Sequence, residues 1–205
     1  MKKFTIVFIM AAFALFLGSC ADSNKTDGNA EAADSTEVKK TTLVAYFTAS
    51  ELRTTERVAK RLAEATDADL FEILPALAYT TEDLDWKDED SRSTIEMKDS
   101  TARPEIAEKL ENMDQYTTIY VGFPIWWYTA PRIINTFLEQ YDLTGKTIIP
   151  FATSGGSDMG KSGEDLKKAS APNANWILPG KVLNGNPPVD SIKAWVETLQ
   201  LNKED

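Results

Sequence analysis

The chain alternates between short, largely apolar runs and longer stretches in which apolar residues recur every three or four positions. Such runs are typical of strands buried on both faces of a parallel sheet, and the second pattern marks the buried stripe of an amphipathic helix. The runs predict strands over residues 43–47, 70–74, 119–123, 147–152 and 176–178. The stripes, with Pro104 suited to a first helical turn, predict helices around residues 55–63, 104–110, 133–141, 162–169 and 189–199.

Five strands that alternate with five helices require right-handed crossover connections, and therefore a parallel sheet with helices on both faces. The predicted fold is a three-layer α/β sandwich. In such sheets a ligand sits outside the carboxyl ends of the strands, at the point where the strand order reverses. The loops after the first, third and fourth strands should therefore meet and form the site.

The loop after the first strand is rich in hydroxyl groups and leads into the first helix. It reads Thr48-Ala49-Ser50-Glu51-Leu52-Arg53-Thr54-Thr55. Hydroxyls and free backbone N–H groups at a helix N-terminus favour an anion such as a phosphate. Serine and threonine are also the commonest helix caps, so this loop alone leaves a purely structural role open.

The loops after the third and fourth strands carry aromatic residues and glycines. The former contains Trp126-Trp127-Tyr128 between two prolines. Three adjacent rings cannot all face the core from one loop, so either a flat ligand stacks on them or they pack against a helix or a partner protein. The latter contains Gly155-Gly156, which either lets a ligand approach the backbone closely or serves a tight turn.

The amino terminus has the pattern of a secretory signal. Two lysines precede an uncharged apolar stretch from Phe4 to Leu17, which is shorter than the ~20 residues that span a bilayer. The sequence Leu17-Gly18-Ser19-Cys20 resembles the bacterial lipobox, in which the cysteine is diacylated. We expect a signal peptide over residues 1–19, a lipid on Cys20 with a polar tether over residues 20–40, and a folded domain over residues 41–205. Ordinary signal cleavage with a free Cys20 is the alternative.

The composition excludes several kinds of catalytic and metal site. The chain has no histidine, and its only cysteine is Cys20, which the expected lipid anchor would occupy. A serine-histidine-aspartate triad, a cysteine nucleophile and a zinc site built on histidine or cysteine are therefore excluded. The net charge of −10 argues against nucleic-acid binding. The same charge can attract a basic partner, or can simply keep the protein soluble.

Taken together, the motifs resemble the flavodoxin-like family, in particular a short-chain bacterial branch. The resemblance runs from about Leu43 to Leu199. It rests on residues 44–50, 79–86, 103–104, 122–127, 131, 136–138 and 151–157. It implies a five-stranded parallel sheet of strand order 2-1-3-4-5 and bound FMN as the electron carrier.

The resemblance also implies which residues hold FMN. Thr48, Ser50, Thr54 and Thr55 would bind the phosphate; Pro124, Ile125, Trp126, Trp127 and Tyr128 would flank the ribityl chain and the isoalloxazine ring; Thr153, Ser154, Gly155, Gly156 and Ser157 would line the polar edge of the ring. The first loop departs from the family pattern, because Glu51-Leu52-Arg53 lengthens it and removes its usual Gly or Asn. Arg53 can offset the charge of Glu51 by binding the phosphate as well. No residue is assigned a catalytic role.

The connection from Pro75 to Arg103 is long for this fold and contains Tyr79, Trp86 and many charges. Long loops are often functional, so it is either a lid or partner surface over the flavin, or an inert excursion. Three functions remain open, because a fold does not choose between them. They are electron transfer to a partner at a membrane of the bacterial cell envelope, an FMN-dependent NAD(P)H:quinone-type reductase, and a flavin-free binding module.

Overall fold

The computed structural model describes residues 40–201, so the predicted signal peptide and Cys20 lie outside the described residues. The strands are β1 (Thr42–Tyr46), β2 (Asp69–Glu72), β3 (Thr118–Pro124), β4 (Thr147–Thr153), β5 (Asn175–Trp176) and β6 (Lys181–Val182). The helices are α1 (Thr54–Thr66), α2 (Arg92–Lys98), α3 (Arg132–Glu139), α4 (Ser162–Ser170) and α5 (Val189–Thr198), and a 3-10 helix spans Met113–Gln115. Between residues 40 and 201, no helix is long and apolar enough to cross a membrane.

The six strands form one parallel sheet of order β2-β1-β3-β4-β5, in which β6 also pairs with β4. The predicted fold class and strand order are confirmed, and the second strand lies slightly nearer the amino terminus than predicted. The order reverses at β1, which pairs with β2 on one side and with β3 on the other. The carboxyl ends of β1 and β3 are therefore the switch point of the sheet.

Successive residues of the central strands enter two different cores. In β1, Leu43 and Ala45 pack with α3 and α4, whereas Val44 and Tyr46 pack with α1 and α5. The same alternation continues through β3 and β4. Because both faces of these strands are covered by helices, both sets of side chains must be apolar, which explains the continuous apolar runs in the sequence.

One glycine lets two central strands carry a large side chain between them. Gly122 in β3 is the register partner of Phe151 in β4. A Cβ atom added at Gly122 would lie 2.1 Å from the Phe151 ring, so the ring occupies the space that any other residue at position 122 would need.

The prediction of a helix around Pro104 is wrong. Residues 104–110 contain no helix, and Ile106 instead forms an isolated antiparallel bridge with Pro75. The helix of this region is α2, and the side chain of its N-cap Ser91 accepts a hydrogen bond from the Thr94 N–H. Proline suits extended backbone as well as a first helical turn, and here the bridge beyond β2 selects the extended form.

The fifth predicted strand, residues 176–178, is instead split into β5 and β6. The carbonyl groups of Ile148 and Ala152 in β4 accept N–H groups from this edge. Pro150 lies midway between Ile148 and Ala152, and its backbone nitrogen faces the same neighbouring strands. Because proline has no N–H to donate, the hydrogen-bond ladder is interrupted there. Gly180 packs directly against Pro150, because a Cβ added at Gly180 would lie 2.2 Å from the Pro150 carbonyl oxygen.

Gly122→Ala should lower the free energy of unfolding by about 1–3 kcal/mol, because the new methyl group collides with the buried Phe151 ring. Urea unfolding followed by circular dichroism measures the change. Gly155→Ala is the matched control, since an added Cβ there has no neighbour within 4 Å. Equal stability of the two variants would contradict the packing described for β3 and β4.

Candidate functional site

The loops after β1, β3 and β4 meet at the carboxyl edge of the sheet, as the topology predicts. The buried hydroxyl groups of Thr55 and Thr153 lie 2.8 Å apart and share a hydrogen bond, which joins the first loop to the third. The Ile125 N–H donates to the Thr153 carbonyl at 2.9 Å, which joins the second loop to the third. These contacts hold the three loops together as one site.

The first loop makes a tight turn before α1. The Arg53 N–H donates to the Ser50 carbonyl at 2.9 Å, and Arg53 adopts the left-handed conformation with φ of 46°. This conformation costs a residue other than glycine roughly 1–2 kcal/mol. Glu51 and Leu52 form the exposed tip of the turn. The left-handed position of this turn is thus occupied by an arginine rather than by a glycine.

The Arg53 side chain stabilises this turn through two acidic partners. Its guanidinium group pairs with Glu56 in α1 and, at 2.6 Å, with Glu72 at the end of β2. The Tyr46 hydroxyl donates to the same Glu72 carboxylate at 3.1 Å. The hydrogen bond from Arg53 lowers the pKa of Glu56. In this structure the guanidinium therefore faces carboxylates, and its role as a phosphate ligand stays a prediction.

The hydroxyl groups predicted to bind phosphate differ in their accessibility. Thr48 is buried, and the Thr55 hydroxyl is engaged with Thr153. The Thr54 hydroxyl accepts a hydrogen bond from Arg57 at 3.2 Å. Ser50 is exposed. Together with the free N–H groups of the first turn of α1, Ser50 is the donor best placed to contact a phosphate from solvent.

The second loop is a two-residue hairpin turn with an unusual composition. Trp126 and Thr129 exchange two backbone hydrogen bonds, of 3.0 and 2.9 Å, while Trp127 and Tyr128 have φ of 45° and 62°. Such turns normally use glycine or asparagine, and bulky residues at positive φ are outliers. The two rings nevertheless remain 42% and 79% exposed. A strained turn that presents exposed aromatic rings is a typical feature of a ligand site.

Trp126 differs from its two aromatic neighbours. Its ring is partly buried and contacts Phe47 and Tyr79 edge-on, with centroid distances of 5.7 and 5.5 Å. Trp126 is therefore the ring that packs the loop against Phe47 and Tyr79, and Trp127 and Tyr128 are the more exposed rings.

The third loop is organised by Ser154 and is open above its glycines. The Ser154 hydroxyl accepts the N–H groups of Gly156 and Ser157 at 3.1 and 2.6 Å. Its own N–H donates to Asn184 at 2.8 Å. A Cβ added at Gly155 or Gly156 would meet nothing within 4 Å, so a ligand can lie directly against this backbone.

A cavity of about 510 Å³ lies beside the second loop. Ala49 and Ser50 border it from the first loop, and residues 124–128 border it from the second. Its remaining wall is the cover segment, which we define as residues 75–103, and this wall consists of Leu84, Trp86 and Ser93. Leu84 and Trp86 lie in the segment 79–86 that carries the family resemblance, whereas Ser93 had no sequence signal.

The cover segment is attached to the site through Tyr79. The Tyr79 ring contacts Phe47 as well as Trp126, and its hydroxyl donates to Glu96 in α2 at 2.5 Å. Arg92 lies 4.0 Å from the centroid of the Tyr79 ring and pairs with Glu96 at 2.7 Å. Burial, with the hydrogen bond to Glu96, raises the pKa of Tyr79. The cover segment is thus packed against the sheet edge as a wall of the cavity.

No metal site accompanies these loops in the part of the chain that the structure describes. Residues 40–201 contain no group of three or more histidine, cysteine, aspartate or glutamate side chains that could hold a metal ion. The groups available for chemistry are hydroxyls, backbone N–H groups, aromatic rings and the ion pairs around Arg53.

Comparison with known proteins gives close matches over the whole described domain. A family model described as Flavodoxin matches residues 41–199. A protein from Bacteroides eggerthii that is assigned as a flavoprotein is 47% identical, covers 78% of this chain and 98% of its own, and superimposes with a TM-score of 0.74. A similarly assigned protein from Bacteroides uniformis is 51% identical, with 76% and 97% coverage and a TM-score of 0.71.

Two more distant matches are also informative. A flavoprotein from Lactobacillus acidophilus, crystallised in complex with FMN, shares the fold at 23% identity and a TM-score of 0.56, over 77% of this chain and 99% of its own. YcaK, an uncharacterized NAD(P)H oxidoreductase of Escherichia coli, is 27% identical over 86 residues, or 42% of this chain. The match covers 39% of YcaK, which is well under two thirds of its length.

Replacement of Arg53 separates backbone strain from ion pairing. Arg53→Gly and Arg53→Ala both remove the pairs with Glu56 and Glu72, but only glycine relieves the left-handed backbone. Arg53→Ala should therefore be less stable than Arg53→Gly by about 0.5–1 kcal/mol in urea unfolding. Arg57, inside α1, is the control position, where glycine should be less stable than alanine by about 1 kcal/mol. The same order at both positions would contradict the left-handed turn.

Proposed function

The chain belongs to the flavodoxin family, and on this premise we propose that it is an FMN-binding redox protein that transfers electrons at the bacterial cell envelope. The meeting of the three loops at the carboxyl edge of the sheet, through the Thr55–Thr153 and Ile125–Thr153 hydrogen bonds, is the observation that carries this proposal. Each loop offers one kind of contact that FMN needs. When bound, FMN supplies the electron-transfer chemistry, and the protein controls its position and access.

The first loop suits the phosphate group. The first turn of α1 presents unpaired N–H groups and the positive end of the helix dipole. Ser50 and Thr54 add hydroxyl groups at this end of the helix. Glu56 in the same turn would repel a phosphate, but its charge is compensated by Arg53. Arg53 thus supports phosphate binding in the proposed complex even where it does not contact the phosphate itself.

The second and third loops suit the ring. Trp127 and Tyr128 expose rings on which the isoalloxazine can stack, a contact worth about 0.5–1.5 kcal/mol beyond the buried area. The open backbone at Gly155 and Gly156 allows the polar edge of the ring to approach the third loop closely. Both features fit a flat ligand that has one polar edge.

The envelope location is proposed from the amino-terminal sequence. The lipobox-like Leu17-Gly18-Ser19-Cys20 follows an apolar stretch, and a diacylated Cys20 would hold the domain at a membrane through the tether of residues 20–40. Acidic residues exceed basic ones by ten, which favours a redox partner with a basic surface.

A second candidate function is an FMN-dependent NAD(P)H:quinone-type reductase. The cavity beside the second loop favours it, because its volume of about 510 Å³ lies in the range typical of small-molecule sites. The partial match to an NAD(P)H oxidoreductase points the same way. The two functions differ in one observable property: a reductase oxidises NADH or NADPH without a partner protein, and an electron carrier does not.

Ser50→Ala tests FMN binding at the proposed phosphate site. The variant should weaken the binding of FMN to the full-length chain about 2- to 10-fold, because it removes one hydrogen bond to the phosphate, and it should leave riboflavin binding unchanged. Titration followed by flavin fluorescence measures both affinities. Ser191→Ala, an exposed serine on α5, is the control and should change neither. Absence of FMN binding to the unmodified chain would refute the proposed function and favour a flavin-free binding module.

Cys20→Ala tests the anchor. In a bacterial host, the unmodified chain should fractionate with membranes, and its amino-terminal peptide should carry the mass of a diacylglycerol. The variant should lose both properties, since no other cysteine is present to accept the lipid. Recovery of the variant in the membrane fraction would show that something other than a Cys20 lipid holds the protein there.

A further inference from the structure

A second cavity lies at the opposite edge of the sheet from the three loops. Its volume is about 650 Å³, which is within the range of small-molecule sites. Thr42 and Thr118, the first residues of β1 and β3, border this cavity, so it lies at the amino edge of the sheet. The residues around it include none from the three loops of the proposed FMN site. It is therefore a separate site, which we call the amino-edge cavity.

Tyr120 places a buried hydroxyl group without a partner at the amino-edge cavity. Its side chain lies in the core formed with α1 and α5, and it borders the cavity although it is fully buried. Within the described part of the chain, no group forms a hydrogen bond with its hydroxyl oxygen. Burial raises the pKa of Tyr120 to about 12, so the hydroxyl keeps its proton at neutral pH and remains a donor. A ligand that brings an oxygen acceptor into the cavity would satisfy this donor.

The charges around the amino-edge cavity favour a cation. Glu64 and Asp67 border it from the end of α1, and Lys193 and Glu197 border it from α5. Because Lys40 pairs with Asp67 at 3.0 Å, three carboxylates are met by two ammonium groups. Both helices also end beside the cavity, and the C-terminus of a helix carries roughly half a negative elementary charge. The cavity therefore attracts an ammonium group and repels an anion.

The amino-edge cavity also has an apolar wall and a fixed donor. Ala65, Val196 and Leu201 border it and pack against the core beneath, so a hydrocarbon segment of a ligand would remove apolar surface from water by covering them. The Trp195 ring contacts the Tyr120 ring edge-on, with the centroids 6.1 Å apart. This contact holds the phenol in place, so its hydroxyl is already positioned when a ligand arrives.

We propose that the amino-edge cavity binds a small organic cation of the amino-alcohol class. The oxygen of the ligand accepts a hydrogen bond from Tyr120, its ammonium group lies among the carboxylates, and the hydrocarbon between them covers Val196 and Leu201. This site does not depend on the proposed function. The seven residues of β3 separate the two edges of the sheet by roughly 20 Å, so FMN bound at the carboxyl edge would not touch the ligand.

Titration of the 15N-labelled full-length chain with aminohexanol, which carries its two groups at opposite ends, tests this site. Aminohexanol should shift the amide signals of residues 64–67, 118–120 and 193–201. Tyr120→Phe should weaken its binding about 3- to 10-fold and raise the Tm, because the variant removes an unsatisfied hydroxyl. Ser162→Ala is the matched control, since its hydroxyl is also fully buried without a partner but does not border the cavity. It should raise the Tm and leave aminohexanol binding unchanged.

Changes to the probe separate the hydrogen bond from the charge. Hexylamine, which lacks the hydroxyl, should bind more weakly than aminohexanol, and Tyr120→Phe should not weaken it further. Hydroxyhexanoate, which carries a carboxylate in place of the ammonium group, should not bind. Glu197→Gln, at an exposed position, should weaken aminohexanol binding about 2- to 5-fold. Glu108→Gln is its control, because Glu108 is exposed and does not border the cavity.

The same titrations with and without FMN keep this test apart from that of the proposed function. Aminohexanol should bind equally in both, and the result stands if FMN itself does not bind. Absence of aminohexanol binding, binding unaffected by both Tyr120→Phe and Glu197→Gln, equal binding of hydroxyhexanoate, or displacement of the ligand by FMN would each overturn the proposal.

Discussion

Burial of the central strands on both faces is the constraint on which the rest of the structure depends. β1, β3 and β4 send alternate side chains into two apolar cores, and helices close both. A ligand can therefore reach these strands only at an edge where they end. Because all strands are parallel, their carboxyl ends lie at the same edge, and the loops that follow β1, β3 and β4 are brought together there. The candidate phosphate site, the exposed aromatic rings and the cavity all follow from this arrangement.

Locally unfavourable features collect at the same edge. Arg53 occupies the left-handed region, Trp127 and Tyr128 do so within a two-residue turn, and Ser93 buries a hydroxyl without a partner. Each costs on the order of 1–3 kcal/mol, and the well-packed sheet offsets that cost. Concentration of such costs at one edge of the sheet is expected where local structure serves binding. The pairs of Arg53 with Glu56 and Glu72 show how one of these features is held in place.

The parts of the fold that sequence predicts are those whose determinants are local. The apolar runs of β1, β3 and β4 and the stripes of α1, α3 and α5 identify these elements, because burial on one or two faces directly selects the residue types. The edge of the sheet is less predictable, since the break between β5 and β6 depends on Pro150 in the neighbouring strand. The prediction of a helix at Pro104 is wrong because the pairing of Ile106 with Pro75 overrides the preference of proline for a first helical turn. Likewise, adjacency in sequence alone cannot show that Trp126 packs against Tyr79 while Trp127 is exposed, or that Arg53 pairs with Glu72 as well as with Glu56.

The central claim is that three loops at one edge of the sheet bind FMN, and an NMR titration of the 15N-labelled chain tests it most directly. FMN should shift the amide signals of residues 50–55, 125–128 and 154–157 together, and riboflavin should reproduce the shifts of the second and third loops but not those of the first. Shifts confined to one loop, or to residues away from the carboxyl edge, would contradict the account.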